Sequence, residues 1–180
     1  MNKVVFLDRD GVINHDRGYV SCIDDFVFID GAVEACRQLK DMGYLLIIIT
    51  NQSGIGRGYY TESDYLHLTS WMEQQLNQYD VQIDGIYYCP HYVQDASLKC
   101  ACRKPEPGML LKAQVDFDVD MSASLMIGDK LTDVFAARNA QVRHALLVRS
   151  GQSFVPEDEH HADAVLNSLS DLPDWIRVNS

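Results

Sequence analysis

The sequence predicts an α/β protein with a Rossmann-like three-layer α/β/α sandwich built on a parallel sheet. Apolar runs such as Val4-Val5-Phe6-Leu7 have the β-branched and aromatic content of buried strands. These runs alternate along the chain with segments of helical periodicity, and this alternation is typical of a parallel sheet covered by helices on both faces. A chain of 180 residues is long enough for one substantial core, so we expect a single domain over 1–180.

The predicted elements alternate in type along the whole chain. Strands are expected at 3–8, 44–49, 84–88, 124–127, 145–148 and 164–166. Helices are expected at 32–42, 61–79, 107–118, 131–139 and 169–176, and polar loops at 11–30, 50–58 and 150–162.

Several residues support these helix boundaries. Asp30 has the residue type of an N-cap, and Gly43 is suited to end the first helix. Thr61 followed by Asp64 is close to a capping box. The helix after Thr61 carries an apolar stripe that we expect to be core: Tyr65, Leu68, Met72, Leu76 and Tyr79.

Composition and charge exclude some partners. The formal net charge is -11, with 26 acidic residues against 15 Lys and Arg, so we expect no nucleic-acid partner. No apolar run reaches the roughly 18 residues of a membrane helix, and residues 1–8 lack the layout of a signal peptide. We therefore expect a cytoplasmic protein that has no membrane partner.

Polar residues follow three of the predicted strands. Asp8 and Asp10 end the first strand, Thr50 and Asn51 follow the second, and Asp129 follows the fourth. Each alone is compatible with an ordinary turn, but the carboxyl ends of parallel strands meet at one edge, where ligands bind. Asp8 and Asp129 have the oxygen ligands that Mg²⁺ prefers.

This set of residues suits phosphoryl transfer. Thr50 can hold a phosphoryl oxygen, and Lys104 can neutralise its charge. Asp8 has the position of a nucleophile that forms an aspartyl phosphate, with Asp10 as general acid and then general base. For Asp133, two roles stay open: orienting Lys130 or a metal-bound water, and an ordinary acid in the first turn of a helix.

A second group of residues predicts a structural zinc site in the loop 89–102. Cys89, His91, Cys100 and Cys102 provide three thiols and one imidazole within fourteen residues. Four such ligands make a closed tetrahedral zinc site, whereas the alternative is free thiols beside a surface histidine. The site would stiffen the segment that leads into Arg103 and Lys104. Cys36 is expected in the core, and Cys22 has no evident role.

The ordered motifs resemble those of the haloacid dehalogenase (HAD) superfamily. They are Asp-x-Asp-Gly-Val at 8–12, Thr50, Lys104, and Gly128-Asp129 with Asp133. The Cys-x-His and Cys-x-Cys-Arg-Lys-Pro segments, with Thr-Asn-Gln-Ser-Gly, are similar to its histidinol-phosphatase-like branch. The resemblance implies the HAD fold and a phosphatase rather than a dehalogenase. It also makes the backbone carbonyl of Asp10 a Mg²⁺ ligand and Arg103 a catalytic and substrate-binding residue.

The same resemblance implies a small phosphorylated sugar as substrate. We expect Mg²⁺-dependent removal of the 7-phosphate from D-glycero-D-manno-heptose 1,7-bisphosphate, on the route to ADP-heptose and lipopolysaccharide core. Implied substrate contacts are Asp16, Arg17, Gly18, Tyr19, Thr50, Asn51, Gln52, Ser53, Arg57, Arg103, Lys104 and Lys130. A histidinol-phosphate phosphatase and, from another class, a non-catalytic zinc-stabilised binding module are the alternatives.

The motif spacing leaves no room for a cap domain. About forty residues separate Asp10 from Thr50, and a loop, a helix and a strand fill them. We therefore expect an open site whose specificity rests on the loops 11–30, 51–60 and 89–104, for which a monomer suffices.

Overall fold

The computed structural model describes residues 1–93 and 100–179, which form one six-stranded parallel sheet. The strands lie in the order β3-β2-β1-β4-β5-β6. Their bounds are β1 Val4–Leu7, β2 Leu45–Asn51, β3 Gly85–Cys89, β4 Leu125–Gly128, β5 His144–Val148 and β6 Ala164–Leu166. The predicted three-layer fold is confirmed, and β6 lies at one edge of the sheet.

Seven helices accompany the strands in the described part of the chain. Their bounds are α1 Ala32–Asp41, α2 Ser53–Gly56, α3 Glu62–Asn77, α4 Gly108–Phe117, α5 Leu131–Asn139, α6 Pro156–Glu159 and α7 Leu172–Asn179. None of them is long and apolar enough to cross a membrane.

The sheet is buried on both faces because alternate residues of each strand point to opposite sides. In β1, Val5 and Leu7 pack in one apolar cluster with the inner face of α1, while Val4 and Phe6 pack in a second cluster with α4 and α5. β1 pairs with β2 on one side and with β4 on the other, with Phe6 opposite Ile47 and Met126. The most deeply buried strand is therefore the one that leads into Asp8.

Three local expectations need correction. Gly31, not Asp30, is the N-cap of α1; it adopts a left-handed φ of 79°, and the chain enters the helix through a turn from Ile29 to Ala32. Tyr79 is 60% exposed because α3 ends at Asn77 and the chain then turns away. The predicted loops 50–58 and 150–162 contain the short helices α2 and α6.

Other boundaries follow the sequence signals. Thr61 caps α3 in a full capping box: its hydroxyl accepts from the N–H of Asp64, whose carboxylate accepts from the N–H of Thr61. Tyr65, Leu68, Met72 and Leu76 are buried as predicted. The middle of the predicted zinc loop, 94–99, lies outside the described residues.

Candidate active site

The candidate site lies where the strand order reverses. β1 and β4 are neighbours at the centre of the sheet, and from there the chain connects outwards in both directions. In open α/β sheets, ligands bind at this switch point, beyond the carboxyl ends of the strands. Asp8 directly follows β1, Asp129 directly follows β4, and Thr50 lies near the end of β2. The structure thus brings together the polar strand ends that the sequence singled out.

Three buried carboxylates form the centre of the site. Oxygens of Asp8, Asp129 and Asp133 all lie within 4.8 Å of one another. The Lys104 ammonium contacts Asp8 Oδ1 at 3.1 Å and Asp133 Oδ1 at 2.5 Å, and it donates to the carbonyl of Ile49 at 2.8 Å. Asp133 also accepts from the N–H of Lys130 at 3.0 Å. Asp133 is therefore an acid in the first turn of α5, which is one of the two roles left open, and it also forms an ion pair with Lys104 that neither role included. The other role, orienting Lys130 or a metal-bound water, stays a prediction.

The electrostatics of this cluster fit a divalent cation. Burial raises the pKa of Asp8, with Lys104 acting in the opposite direction. Burial, together with the charge of Asp8, raises the pKa of Asp129 to about 7. The buried Oδ1 of Asp129 also has no hydrogen-bond partner among the residues described. Carboxylates crowded out of water and an unbonded oxygen are what a Mg²⁺ ion would relieve.

The side chain of Asp10 lies apart from those three carboxylates. Its Oδ1 accepts from Arg9 Nη2 at 2.9 Å and from Asn14 Nδ2 at 3.0 Å, and its Oδ2 accepts from Gln52 Nε2 at 3.2 Å. Arg9 is itself only 2% exposed. The carboxylate group of Asp10 is thus fixed by three donors, which suits proton transfer better than metal ligation.

A cavity of about 340 Å³ opens in front of these groups. Predicted residues that line it are Asp8, Asp10, Asp16, Gly18, Tyr19, Asn51, Gln52, Ser53, Arg57, Arg103, Lys104 and Lys130. Thr50 lies behind this lining, only 1% exposed, and Arg17 is exposed and does not belong to the lining. The cavity is large enough for a phosphorylated sugar, and most of the residues that line it have polar or charged side chains.

Cationic and aromatic side chains form the rim of this cavity. The guanidinium of Arg57 lies 3.5 Å from the ring centroid of Tyr92 and 5.9 Å from that of Tyr19. Arg103 donates to the carbonyl of His91 at 3.4 Å. Lys130 Nζ lies 3.7 Å from both Asp16 and Asp129. Several positively charged groups therefore line the cavity, although the protein as a whole is acidic.

The loop after β5 supplies a residue that the sequence analysis missed. The backbone N–H of Gln152 donates to Asp129 Oδ2 at 2.8 Å, and its side-chain amide donates to Asp16 Oδ2 at 2.9 Å. In the same loop, Ser150 donates to the carbonyl of Gly11 at 2.8 Å. The strand-end argument that identified Asp129 extends to this loop, since β5 is parallel and adjacent to β4.

The four predicted zinc ligands converge. The imidazole Nδ1 of His91 lies 3.5 Å from Cys89 Sγ, 2.9 Å from Cys100 Sγ and 3.3 Å from Cys102 Sγ. The three sulfurs lie 2.8 to 3.5 Å from one another. Four N and S donors around one point match the ligand set of a closed zinc site, and none of the described cysteines forms a disulfide.

This cluster is attached to the active-site walls on both sides. Lys104 follows Cys102 by two residues, and Pro90 accepts a hydrogen bond from the N–H of Gly56 in α2 at 2.9 Å. A side chain at Gly56 would place its Cβ 2.6 Å from the N atom of Tyr92, so only glycine permits this approach. The cluster is therefore directly connected to the segments that carry Lys104 and Arg57.

Comparisons with known proteins agree with this geometry. A family model described as HAD-hyrolase-like matches residues 101–172. A D-glycero-beta-D-manno-heptose-1,7-bisphosphate 7-phosphatase from Yersinia pestis is 52% identical, over 97% of this chain and 95% of its own. That of Escherichia coli K12 is 54% identical, over 96% and 93%.

A solved structure matches over the whole chain. The crystal structure of D,D-heptose 1,7-bisphosphate phosphatase from B. bronchiseptica, complexed with magnesium and phosphate, superposes with a TM-score of 0.84. Its sequence is 30% identical, and the match covers 99% of both chains.

Proposed function

Since the chain belongs to the D-glycero-β-D-manno-heptose-1,7-bisphosphate 7-phosphatase family within the HAD-like hydrolases, we propose that it removes the 7-phosphate of that sugar. The named relatives act on the β-anomer, and we propose the same preference here. The single observation that carries the proposal is the carboxylate cluster of Asp8, Asp129 and Asp133 around the Lys104 ammonium, at the base of a polar cavity. Histidinol phosphate remains the alternative substrate, but the named relatives favour the heptose.

We propose that Asp8, Asp129 and the backbone carbonyl of Asp10 hold Mg²⁺. The crowding of buried carboxylates and the unbonded Oδ1 of Asp129 support this assignment. The relative from B. bronchiseptica binds magnesium and phosphate together. When bound, the ion offsets negative charge on the phosphoryl oxygens and keeps Asp8 ionised. Cys89, His91, Cys100 and Cys102 are the proposed ligands of a structural zinc ion, as a separate site.

The residues then divide the chemistry between them. A carboxylate oxygen of Asp8 attacks phosphorus, the bond from phosphorus to the sugar oxygen breaks, and that oxygen takes the proton of Asp10. Water next attacks the aspartyl phosphate, Asp10 takes back a proton, and phosphate leaves with the Asp8 carboxylate restored. Lys104, held by Asp133 and Ile49, stabilises the charge on the transferring group.

The rim is proposed to hold the rest of the substrate. Arg57 and Arg103 present planar guanidinium groups suited to the 1-phosphate. Asp16 accepts from the N–H of Gly18 and from Gln152, and its carboxylate is placed to contact a sugar hydroxyl. Tyr19 supplies an exposed ring against the sugar. Arg17, outside the cavity lining, is the least supported of the predicted contacts.

Location and assembly are proposed on separate grounds. We propose an active monomer, because one chain contains the proposed nucleophile, general acid and metal ligands of the site. Free thiols arranged as a metal cluster suit a reducing compartment, which supports the cytoplasm.

The test is phosphate release with Mg²⁺ from the β- and α-anomers of the heptose bisphosphate and from histidinol phosphate. We expect the β-anomer to be hydrolysed with the highest kcat/KM. Asp8→Asn is the blank, since it removes the nucleophile and keeps the side-chain shape. Preference for histidinol phosphate would contradict the substrate, and activity in the Asp8→Asn protein would contradict the mechanism.

A further inference from the structure

Tyr60 and Gln52 form a buried hydrogen-bonded chain that ends on two residues of the proposed chemistry. The Tyr60 hydroxyl donates to Gln52 Oε1 at 2.6 Å. Gln52 Nε2 donates to Thr50 Oγ1 at 2.9 Å and to Asp10 Oδ2 at 3.2 Å. Gln52 is 2% exposed and Tyr60 is 8% exposed, so these hydrogen bonds are largely shielded from water.

The two oxygens of Asp10 have different partners. Oδ1 accepts from the charged Arg9 and from Asn14, so both of its lone pairs are occupied. Oδ2 has Gln52 Nε2 as its one protein donor among residues 1–93 and 100–179. One lone pair of Oδ2 therefore has no donor among these residues, and Asp10 lines the cavity. Oδ2 is the oxygen that can carry the proton in the proposed reaction.

The orientation of the Gln52 amide decides whether that proton can move. With Nε2 towards Asp10, the amide donates to the carboxylate and leaves the open lone pair free. With the amide turned over, Oε1 would face Asp10 and accept the proton that the sugar oxygen needs. The same reversal would take a donor from Thr50. With the present orientation, Thr50 accepts from Nε2 and keeps its hydroxyl hydrogen for a phosphoryl oxygen.

Tyr60 supports the present orientation of the amide. Burial raises the pKa of Tyr60 to about 12, so its hydroxyl stays protonated and available to donate to Oε1 at neutral pH. The ring is held by close packing, because a Cβ at Gly54 would overlap the Tyr60 ring. Gly54 therefore has a packing reason within the Thr-Asn-Gln-Ser-Gly segment.

We propose that Gln52, oriented by Tyr60, is a positioning residue that sets the proton-carrying oxygen of Asp10 and the hydroxyl direction of Thr50. This inference rests on the proposed function, since it assigns work to that reaction's general acid. Gln52 then acts on the substrate through Asp10 and Thr50. Its expected direct contact with substrate stays a prediction. Both polar atoms of its amide are already bonded to protein, which favours the indirect role.

The test compares two substrates that differ in their need for a general acid. The sugar oxygen of the heptose bisphosphate must be protonated as it leaves, whereas p-nitrophenolate leaves from p-nitrophenyl phosphate without a proton. The variants are Tyr60→Phe, which removes one hydroxyl, and Gln52→Met, which removes the amide and keeps similar bulk. Tyr59→Phe is the matched control, because Tyr59 is 62% exposed and outside the cavity lining.

We expect both variants to lose kcat/KM on the heptose bisphosphate at least about tenfold more than on p-nitrophenyl phosphate, within the range that general acids contribute. The loss should fall mainly on kcat, and Tyr59→Phe should match the wild type. Equal losses on the two substrates, or no loss in either variant, would overturn the inference. Failure of the wild type itself on the heptose bisphosphate would instead overturn the proposed substrate, and the comparison would then use the sugar phosphate that the wild type hydrolyses.

Discussion

The side chain of Asn51 holds the backbone of Lys104 by a pair of hydrogen bonds. Asn51 Nδ2 donates to the carbonyl of Lys104 at 3.2 Å, and the N–H of Lys104 donates to Asn51 Oδ1 at 3.0 Å. The end of β2 is thus joined to the segment that leaves the metal-ligand cluster. The position of the Lys104 ammonium depends on this pair as well as on its own ion pairs with Asp8 and Asp133.

Asn51→Ala should therefore lower activity without unfolding the protein. Loss of both bonds leaves the backbone groups of Lys104 without these partners, and we expect kcat/KM to fall about tenfold or more. Asn139→Ala is the matched control, since Asn139 Nδ2 donates to the carbonyl of Pro105, the residue after Lys104, at 3.0 Å. Steady-state kinetics check both variants. Equal losses would show that general loosening of the segment, rather than the Lys104 contact, is responsible.

Removal of zinc should lower phosphatase activity strongly while most of the secondary structure is retained. The thiol and imidazole ligands position Lys104 and Arg103, whereas the two apolar clusters of the sheet are formed largely by other residues. We expect one zinc ion per chain by metal analysis. Chelation should cause a large loss of phosphatase activity while the far-ultraviolet circular dichroism is largely kept.

Cysteine variants separate the ligand cluster from the remaining thiols. Cys102→Ser should lower zinc content and activity together, while Cys22→Ser, at an exposed cysteine outside the cluster, should change neither. Full activity of a zinc-free protein would contradict the proposed role of the cluster.

Gly11→Ala should disturb the carboxylate cluster. Gly11 has a φ of +88°, and an added Cβ would lie 2.5 Å from Asp129 Oδ2 and 2.8 Å from the Cα of Gly151. Gly58→Ala is the control, since its φ is +74° and nothing lies within 4 Å of an added Cβ. Backbone strain alone should cost each variant about 1 kcal/mol in the free energy of unfolding by urea.

Only Gly11→Ala should also require more Mg²⁺ for half-maximal activity. We expect this concentration to rise at least about tenfold, because the added methyl group displaces Asp129, a proposed ligand. A Mg²⁺ titration of activity measures it. If Gly58→Ala shows the same rise, steric displacement of Asp129 is not the cause.

The ionisation of Asp163 should make the free energy of unfolding depend on pH in the acidic range. Burial opposes its ionisation, but hydrogen bonds from Arg138 at 2.8 Å and from the N–H of Ala145 at 2.8 Å outweigh burial and lower its pKa. Because the pKa is lower in the folded state, the stabilisation is present above the unfolded-state value of about 3.9 and is lost as the pH falls through the folded value.

The corresponding variant is Asp163→Asn. It should be less stable than the wild type to urea at pH 7 and pH 5, and this difference should shrink below about pH 3.9. Asp174→Asn, whose side chain is 85% exposed, should differ little from the wild type at any pH. A difference for Asp163→Asn that stays constant into acid would show that its charge is not the cause.

The site residues at strand ends were predictable from sequence, because the carboxyl ends of parallel strands lie at the same edge of the sheet. Asp8, Thr50 and Asp129 follow buried apolar runs, and all such ends meet at one edge of the sheet. The zinc ligands were predictable because their types and spacing are specific. Lys104 was identified by its residue type and by the family resemblance, since no periodicity marks a lysine that enters a site from a loop.

What the sequence could not supply was contact made through loops. Tyr60 and Gln152 reach the site from connecting segments, and their partners lie 8 and 23 or more positions away in the chain. Gly31 replaced Asp30 as a cap because a turn with positive φ, rather than an extended residue, leads into α1. Tyr79 continued a helical stripe in sequence, but the helix had already ended at Asn77.

The outward winding of the sheet from β1 and β4 has a consequence for how this scaffold can change over evolution. Asp8, Thr50 and Asp129 lie at the ends of β1, β2 and β4, whereas the rim is contributed largely by loops that have no partner strand to keep in register. Insertions or substitutions in the rim, around Tyr19, Arg57 or Tyr92, can alter which sugar is accepted while the reaction centre stays unchanged. New substrate preferences on this fold are therefore expected to arise by replacement of loops, with the strand-end carboxylates unchanged.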